Sequence, residues 1–416
     1  MTNQAAANPA GDAIKASPDF SRAAKAATTL RAITAELASA YWERESVARA
    51  LVTAILAGQH SLLLGPPGTG KSALARDLAG RIDGARYWEI LLGKFTDPKK
   101  MFGPIDVGAL VQGQYTQVFD GRATQCEIAF IDEIFKCSTG ALNETLAYLN
   151  ERLYHPENGG GPIACPLLAA ITASNELPSG EENAAVYDRL LVRLEVGYLT
   201  DPSSFAALVR SAVTPPAPVA RTVVSLSDLQ FLATGVVPAI EVPDGMVDAV
   251  CQLRAALRRA ELTVSDRRWK QAVRLLQASA LLDGRPAVNE NDLAVLTTVL
   301  WDSTAERPAV EREVLQMVNP GAGEALDLQD AIDELEAQLD SKAGQSRESL
   351  SQWAIGEANG KLARAGKRLQ EMRAEATAAG RSVAMLDQVI ARRRAVHARV
   401  MVEALGVDAS MVNATL

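Results

Sequence analysis

Cysteine and histidine are scarce in this chain of 416 residues, which has four of the first and three of the second. Cys126, Cys137, Cys165 and Cys251 lack C-x-x-C spacing and neighbouring histidines, so neither a zinc site nor a disulfide framework is signalled. His60, His155 and His397 are far apart in different local contexts, and no catalytic or metal role is assigned to them. Long apolar runs are missing too. Stretches such as Pro166 to Ile171 fall far short of a membrane span, and the N-terminus lacks the apolar segment of a secretory signal, so a cytoplasmic location is expected. Nor is there an excess of positive charge. The net charge is −8, which should repel nucleic acid and anionic membranes and leaves only a local basic patch able to bind either.

What the chain does have is a glycine-rich loop. Gly65-Pro66-Pro67-Gly68-Thr69-Gly70-Lys71-Ser72 fits G-x-x-x-x-G-K-[ST], the pattern of a phosphate-binding loop. A triphosphate concentrates negative charge, so its site needs backbone N–H groups at close range and a fixed cation. Glycine lets the backbone turn inward with no Cβ to clash. Lys71 is expected to reach the β and γ phosphates and Ser72 to ligate Mg²⁺, with the helix that follows pointing its positive end at the anion. The context agrees with this reading. His60 to Leu64 reads as a short buried strand before the loop, and Ala73 to Ala79 has helical composition after it.

Further along, Glu127 to Glu133 reads as an apolar strand ending in two carboxylates. Asp132 would hold Mg²⁺ and Glu133 would polarise the attacking water. Another buried strand, Leu167 to Ala173, ends at Ser174-Asn175-Glu176 and would place Asn175 between the carboxylates and the γ phosphate. Tyr87 to Leu92 reads as a strand. Residues 97 to 122 interrupt the alternation with a short helix at 97–104 and a hairpin over 107–118, and a helix at 138–151, capped by Ser138, leads into a second hairpin at 152–163. Residues 183 to 194 read as a helix with Arg189 and Arg193 on one face. These are either surface charge or a cation offered to a neighbour's γ phosphate.

After the Pro-rich stretch 213–219, the segments 225–232, 243–262, 265–282 and 289–301 read as a compact helical domain. The third begins Ser265-Asp266-Arg267-Arg268, a cap followed at once by cations. Positive charge there opposes the helix dipole, and a bound phosphate would account for it. From 306 onward charge segregates: acids dominate 306–340 and bases 361–399. Apolar positions at Leu328, Ile332, Leu335 and Leu339, and at Leu362, Leu369, Met372 and Ala376, predict an acidic helix packed antiparallel on a basic one. A basic face for nucleic acid or a partner, or largely solvated helices, are the alternatives.

Taken together these segments resemble the MoxR branch of the AAA+ ATPases over roughly residues 25 to 305, and within it the RavA-like group. Gly65 to Ser72 resembles Walker A, Ile128 to Glu133 Walker B, Ala173 to Glu176 the sensor 1 segment, and Tyr187 to Arg193 the arginine-finger helix. Ser265 to Ser279 is similar to the RavA sensor 2 helix almost residue for residue. The resemblance implies an α/β fold: an AAA+ P-loop αβα core with a parallel sheet, an all-helical lid, and a helical C-terminal extension. The expected division is a tail at 1–18, the core at 19–212, a linker at 213–222, the lid at 223–305 and a hairpin-like extension at 306–416.

The resemblance further implies that Lys71 and Ser72 bind phosphate and Mg²⁺, Asp132 binds Mg²⁺, Glu133 is the general base and Asn175 orients water. Arg189 would be the finger acting on a neighbour's nucleotide, and Arg267 the sensor 2 contact within its own subunit, with Arg193 and Arg268 the less favoured holders of those roles. The segments at 97–122 and 153–165 resemble the family's two pore-side insertions. The expected activity is Mg²⁺-dependent hydrolysis of ATP to ADP and phosphate in a ring, most simply a homohexamer. Such a ring would remodel or activate a protein complex together with a von Willebrand factor A type partner. A nucleic-acid motor using the basic 361–399 face, and a nucleotide-gated assembly scaffold, are the alternatives.

Overall fold

The computed structural model describes residues 18–137, 139–156, 161–178, 180–214, 221–318, 321–342, 346–378 and 383–407. The expected tail up to residue 17, the Ser138 cap, the hairpin tip at 157–160 and linker residues 215–220 lie outside them. The chain forms two compact units, one comprising Met1–Val247 with Thr263–Ser303, the other Asp248–Leu262 with Thr304–Leu416. Among the described residues no helix is long and apolar enough to cross a membrane.

The first unit is built on a five-stranded sheet. Its strands are β1 (Ser61–Leu64), β2 (Tyr87–Leu91), β3 (Ile128–Asp132), β4 (Ala169–Ser174) and β5 (Val192–Glu195), in the order β2-β3-β4-β1-β5. All pairings are parallel: Ser61 faces Ile171 and Val192, Ile128 faces Ala169, and Leu91 faces Asp132. A parallel sheet is covered by helices on both faces, so its central strands are continuous apolar runs. Every residue of β1 and β4 is accordingly buried. Parallel pairing also gives the sheet two distinct edges. Leu64, Asp132, Ser174 and Glu195 end their strands at one edge, and His60 precedes β1 at the other.

Helices α1 (Pro18–Ala40), α2 (Glu45–Leu56) and α3 (Lys71–Ala79) belong to this unit, and α2 buries nine residues from Val47 to Leu56. The expected helix near 98 is α4 (Pro98–Phe102), started by Asp97, whose carboxylate accepts the Lys99 N–H at 2.9 Å. The hairpin expected over 107–118 does not form. Asp106 accepts the Ala109 N–H at 3.1 Å and nucleates a short helix, α5 (Val107–Val111), leaving one isolated bridge between Ile105 and Gln117. The local cap outcompeted the alternating apolar pattern. Beyond α6 (Thr139–Glu151), the second hairpin is present as two short strands that pair Leu153 with Ala164 and Tyr154 with Ile163.

The expected helix over 183–194 is corrected as well. Helix α7 (Glu181–Tyr187) stops, and the chain turns to enter the sheet as β5. Residues Leu190 to Leu194 are all buried, which a helix with one inward face cannot achieve and a strand beside β1 can. Helix α8 (Pro202–Val213) follows. In the helical part of this unit, α9 (Leu226–Phe231) is joined through residues 232–243 to α10 (Asp244–Arg259), whose residues from Asp248 group with the second unit. Helix α11 (Asp266–Leu282) is capped by Ser265, whose hydroxyl accepts the Arg268 N–H at 3.3 Å, and it buries Trp269, Leu275 and Leu276. The segment expected as a helix over 289–301 winds instead as a 3₁₀ helix, Glu290–Thr298, begun by a reciprocal Asn289–Asp292 capping box.

The second unit is helical: α12 (Arg307–Val318), α13 (Ala322–Ser341), α14 (Arg347–Trp353), which continues through a π turn into α15 (Asn359–Ala378), and α16 (Ala384–Arg399). Ile332, Leu335 and Leu339 share one core with Leu362, Leu369, Met372, Val389 and Val396. The acidic helix α13 runs antiparallel to α15, with Trp353 bonded to Gln338 and Arg368 to Glu324 at the other end. It also runs parallel to α16. There Arg392 pairs with Asp333 at 2.9 Å, and Arg399 pairs with Glu336 and Asp340 at 2.7 Å each. The expected two-helix pairing is thus one side of a three-helix arrangement, because the bases fall on two helices that flank the acidic one.

Candidate nucleotide-hydrolysis site

The glycine-rich loop leaves β1 at the edge where the strands end. Gly65 has φ 154° and lies so close to β5's continuation that a Cβ there would sit 2.1 Å from the Val196 carbonyl oxygen. Gly68 and Gly70 have φ 79° and 84°, the left-handed conformation that only glycine adopts at little cost. Together they bend the backbone so that Gly70 caps α3 and its carbonyl receives the Leu74 N–H at 2.9 Å. Lys71 curls onto the loop, donating from Nζ to the Gly65 and Pro66 carbonyls at 2.6 and 2.8 Å. Burial pushes its ammonium below the usual lysine range, while the charges of Asp132 and Glu133 oppose that shift. The cation and the two carboxylates therefore share one electrostatic neighbourhood, although the first opens α3 and the others stand at the end of β3.

Asp132 ends β3, and its side chain accepts the Glu133 N–H at 3.0 Å. Glu133 has φ 54°, a conformation that costs a non-glycine residue about 1–3 kcal/mol. The turn directs its side chain back beside Lys136, whose ammonium lies 3.2 Å from Oε2. Strand β4 lies between β3 and β1, so Asn175, exposed just past its end, falls between the acid pair and the loop. Ser174 fixes that corner. Its carbonyl receives the Gly65 N–H at 3.0 Å and its hydroxyl donates to the Glu176 carbonyl at 2.7 Å. For a magnesium ion the protein offers the Ser72 hydroxyl and the Asp132 carboxylate. Two hard oxygen donors suit an ion that keeps waters and takes its remaining ligands from phosphate oxygens. Among the described residues no cluster of three or more His, Cys, Asp or Glu side chains competes for a metal.

The arginines lie elsewhere. Arg193, expected to share a helix face with Arg189, is in β5 and 1% exposed. Its guanidinium stacks 3.7 Å from the Tyr187 ring centroid and bonds the Leu190 and Tyr187 carbonyls, the Trp301 carbonyl and Asp302. That burial excludes Arg193 as a finger. Arg189 follows α7 in the turn before β5 and donates to its own helix at the Ala185 carbonyl, 2.7 Å away. Burial, and then the charge of Arg267, hold it below the usual arginine range. Arg267 bonds Asp188 at 3.3 Å and Asn150 at 2.5 Å. Arg268 is 4% exposed and bonds Asp302 at 2.8 Å, which rules it out for the sensor 2 role by the same reasoning.

These positions bear on the role expected of Arg267. Asp188 and Arg189 precede β5, and Asn150 follows Leu149, whose carbonyl is 2.7 Å from the imidazole of His60, the residue before β1. Arg267 therefore sits with Arg189 at the edge where the strands begin, and the loop sits where they end. Four residues of strand separate the two edges by about 13 Å. The two side chains that Arg267 bonds, Asp188 and Asn150, both belong to that first edge. The residue that sequence reasoning missed is Asp302, which accepts from both buried arginines. Its only signal in the chain is its place at the end of an apolar run, after Trp301, and its partners lie more than thirty positions away.

A parallel sheet whose loop-bearing and acid-bearing strands are separated by a third strand is the architecture of AAA+ P-loop ATPases, and the chain falls in that class. Residues 28–220 match the model of the MoxR domain in the MoxR-vWA-beta-propeller ternary systems, and residues 245–314 match an AAA lid domain. Two uncharacterized proteins of Methanocaldococcus jannaschii are similar to it. One is 32% identical over 310 residues, covering 74% of this chain and 80% of the relative, and the other is 30% identical over 369 residues, covering 87% and 94%. A crystal structure of a candidate ATPase from Cytophaga hutchinsonii shares the fold with TM-score 0.58 at 18% identity, over 72% of this chain and 97% of that one. The chain belongs to the MoxR family of AAA+ ATPases.

Proposed function

We propose that the protein hydrolyses ATP to ADP and phosphate as one subunit of a ring, most simply a homohexamer acting in the cytoplasm. The observation that carries this reading is the separation of the loop from Arg189 and Arg267 across the sheet. Phosphoryl transfer gains from a cation on the transferred group, and this chain holds its candidate cations at the wrong edge for its own loop. A neighbouring copy that presents its arginine edge to the loop completes the site. Both Arg189 and Arg267 then act in trans.

Lys71 and the loop N–H groups hold the phosphates, Ser72 and Asp132 hold Mg²⁺, Glu133 takes the proton of the attacking water, and Asn175 orients that water. Bound Mg²⁺ supplies charge neutralisation on the phosphate oxygens. The work of the ring is the remodelling or activation of a protein complex with a von Willebrand factor A type partner. The matched domain model, which describes MoxR domains of systems containing such a protein, supports that partner. The helix from Ser265 to Ser279 supports placement in the RavA-like group. A nucleic-acid motor is less well supported, since Arg368, Arg373, Arg392 and Arg399 are already paired with carboxylates. The test mixes Arg189→Ala with Lys71→Ala subunits, each inactive alone. Activity should return in the mixture, and its absence at every ratio would remove the support for a neighbour's finger.

A further inference from the structure

We infer that Asp302 is a positioning residue that holds Arg189 and Arg267 together as a single unit to be presented to the neighbouring copy. This rests on the reading above that those arginines act in trans. One carboxylate oxygen of Asp302 accepts from Arg193 at 2.7 Å and from Arg268 at 2.8 Å. Each of those arginines in turn grips a segment that carries a candidate acting residue. Arg193 donates to the Tyr187 and Leu190 carbonyls at 3.2 Å each, which bracket Asp188 and Arg189 in the turn. Tyr187 adds a second tie, its hydroxyl donating to the Asp302 carbonyl at 2.7 Å. Arg268 is next to Arg267 in the first turn of α11, where Arg267 reaches Asp188.

The electrostatics give the link its stiffness. Arg193 and Arg268 are buried to 1% and 4% exposure, and Arg268 Nε and Nη1 have no hydrogen-bond partner among the described residues. Two buried guanidiniums repel each other unless a shared anion stands between them. Burial works against ionisation of Asp302, but the hydrogen bond and charge of Arg268 and the charge of Arg193 hold its carboxyl below the usual range. The carboxylate thus stays charged at neutral pH. It fixes the spacing between the turn before β5 and the start of α11.

The mixed-subunit assay separates this role from a general structural one. In the mixture of Arg189→Ala with Lys71→Ala, the first chain contributes the loop and the second the arginines. Asp302→Asn added to the arginine-contributing chain should lower the recovered activity about tenfold or more, as misplacement of a reacting group does. Added to the loop-contributing chain it should leave the rate and the KM for ATP as in the parental mixture. Equal losses in both placements, or none in either, overturn the inference while leaving the ring reading intact. A silent parental mixture overturns both. Should Asp302→Asn fail to fold, Tyr187→Phe keeps all three charges and removes one tie, and its loss must show the same one-sided dependence on placement for the inference to stand.

Discussion

Gly65→Ala is the substitution whose outcome the structure specifies most closely. A Cβ at this position would meet the Val196 carbonyl oxygen at 2.1 Å and its carbon at 2.9 Å. Both are backbone atoms, so no rotamer change relieves the contact. Val196 is itself anchored, its N–H donating to the Leu64 carbonyl at 2.7 Å. The loop or the end of β5 must therefore move, at a cost of about 1–3 kcal/mol for overpacking, added to roughly 1 kcal/mol for an unfavourable φ. Gly68→Ala provides the control. Its φ of 79° carries the conformational cost, but no atom of the described residues lies within 4 Å of the added methyl. Urea denaturation of the two variants side by side should show Gly65→Ala the less stable by about 1–3 kcal/mol. ATP binding should weaken further in that variant, because displacement at Gly65 shifts the carbonyls that position Lys71. Equal stability would show that the β1–β5 edge yields freely and that the close approach does not constrain the loop.

Glu133→Gln should preserve ATP affinity and lower kcat by about 10²–10⁴-fold, the usual contribution of a general base; steady-state hydrolysis beside equilibrium nucleotide binding checks this, and an unchanged kcat refutes the assignment. His60 is fully enclosed, and burial first, then the charge of Arg152, push its imidazole down to about 3. The folded pKa is below the unfolded value, so the unfolded chain binds the extra proton and stability is full above about pH 6.5 and falls as pH drops toward 3, by roughly 2 kcal/mol at pH 5. Urea midpoints at pH 7 and 5 should show the loss, and His60→Gln should flatten it. In the second unit Leu362→Ala should cost about 2–5 kcal/mol, whereas Arg399→Ala should cost under about 1 kcal/mol despite ion pairs with Glu336, Asp340 and Glu403, because Arg399 keeps more than a third of its side chain in solvent; the reverse order would mean that charge rather than the apolar seam holds these helices.

The parts of the site that were legible in the chain are those whose chemistry is contiguous. Gly65 to Ser72, Asp132-Glu133 and Ser174-Asn175 each end an apolar run, and a run with a polar end declares both a buried strand and its edge. Legibility failed where a local pattern competed with a partner distant in sequence. Arg189 and Arg193 are four apart and read as one helix face, yet pairing with β1 draws the second into the sheet interior. At 107–118 the alternation of apolar residues reads as a hairpin, but Asp106 captures the backbone first. The edge to which Arg267 belongs depends on strand direction and on Asn150 and Asp188, so no spacing within α11 could reveal it. Asp302 acquires its meaning only when residues 193 and 268 are brought to the same carboxylate.

If Arg189 and Arg267 act on a neighbour as proposed, the parallel sheet gives every subunit a donating side and a receiving side. Copies that use both sides associate head to tail through a heterologous contact, and such a contact either closes or continues. In an open row of n copies, one loop at the end has no donor, so n − 1 sites are complete and one set of arginines has nothing to act on. Closure supplies the missing site without any new kind of contact. Activity per subunit should therefore rise with the length of the assembly and level off at closure, which links turnover to assembly state.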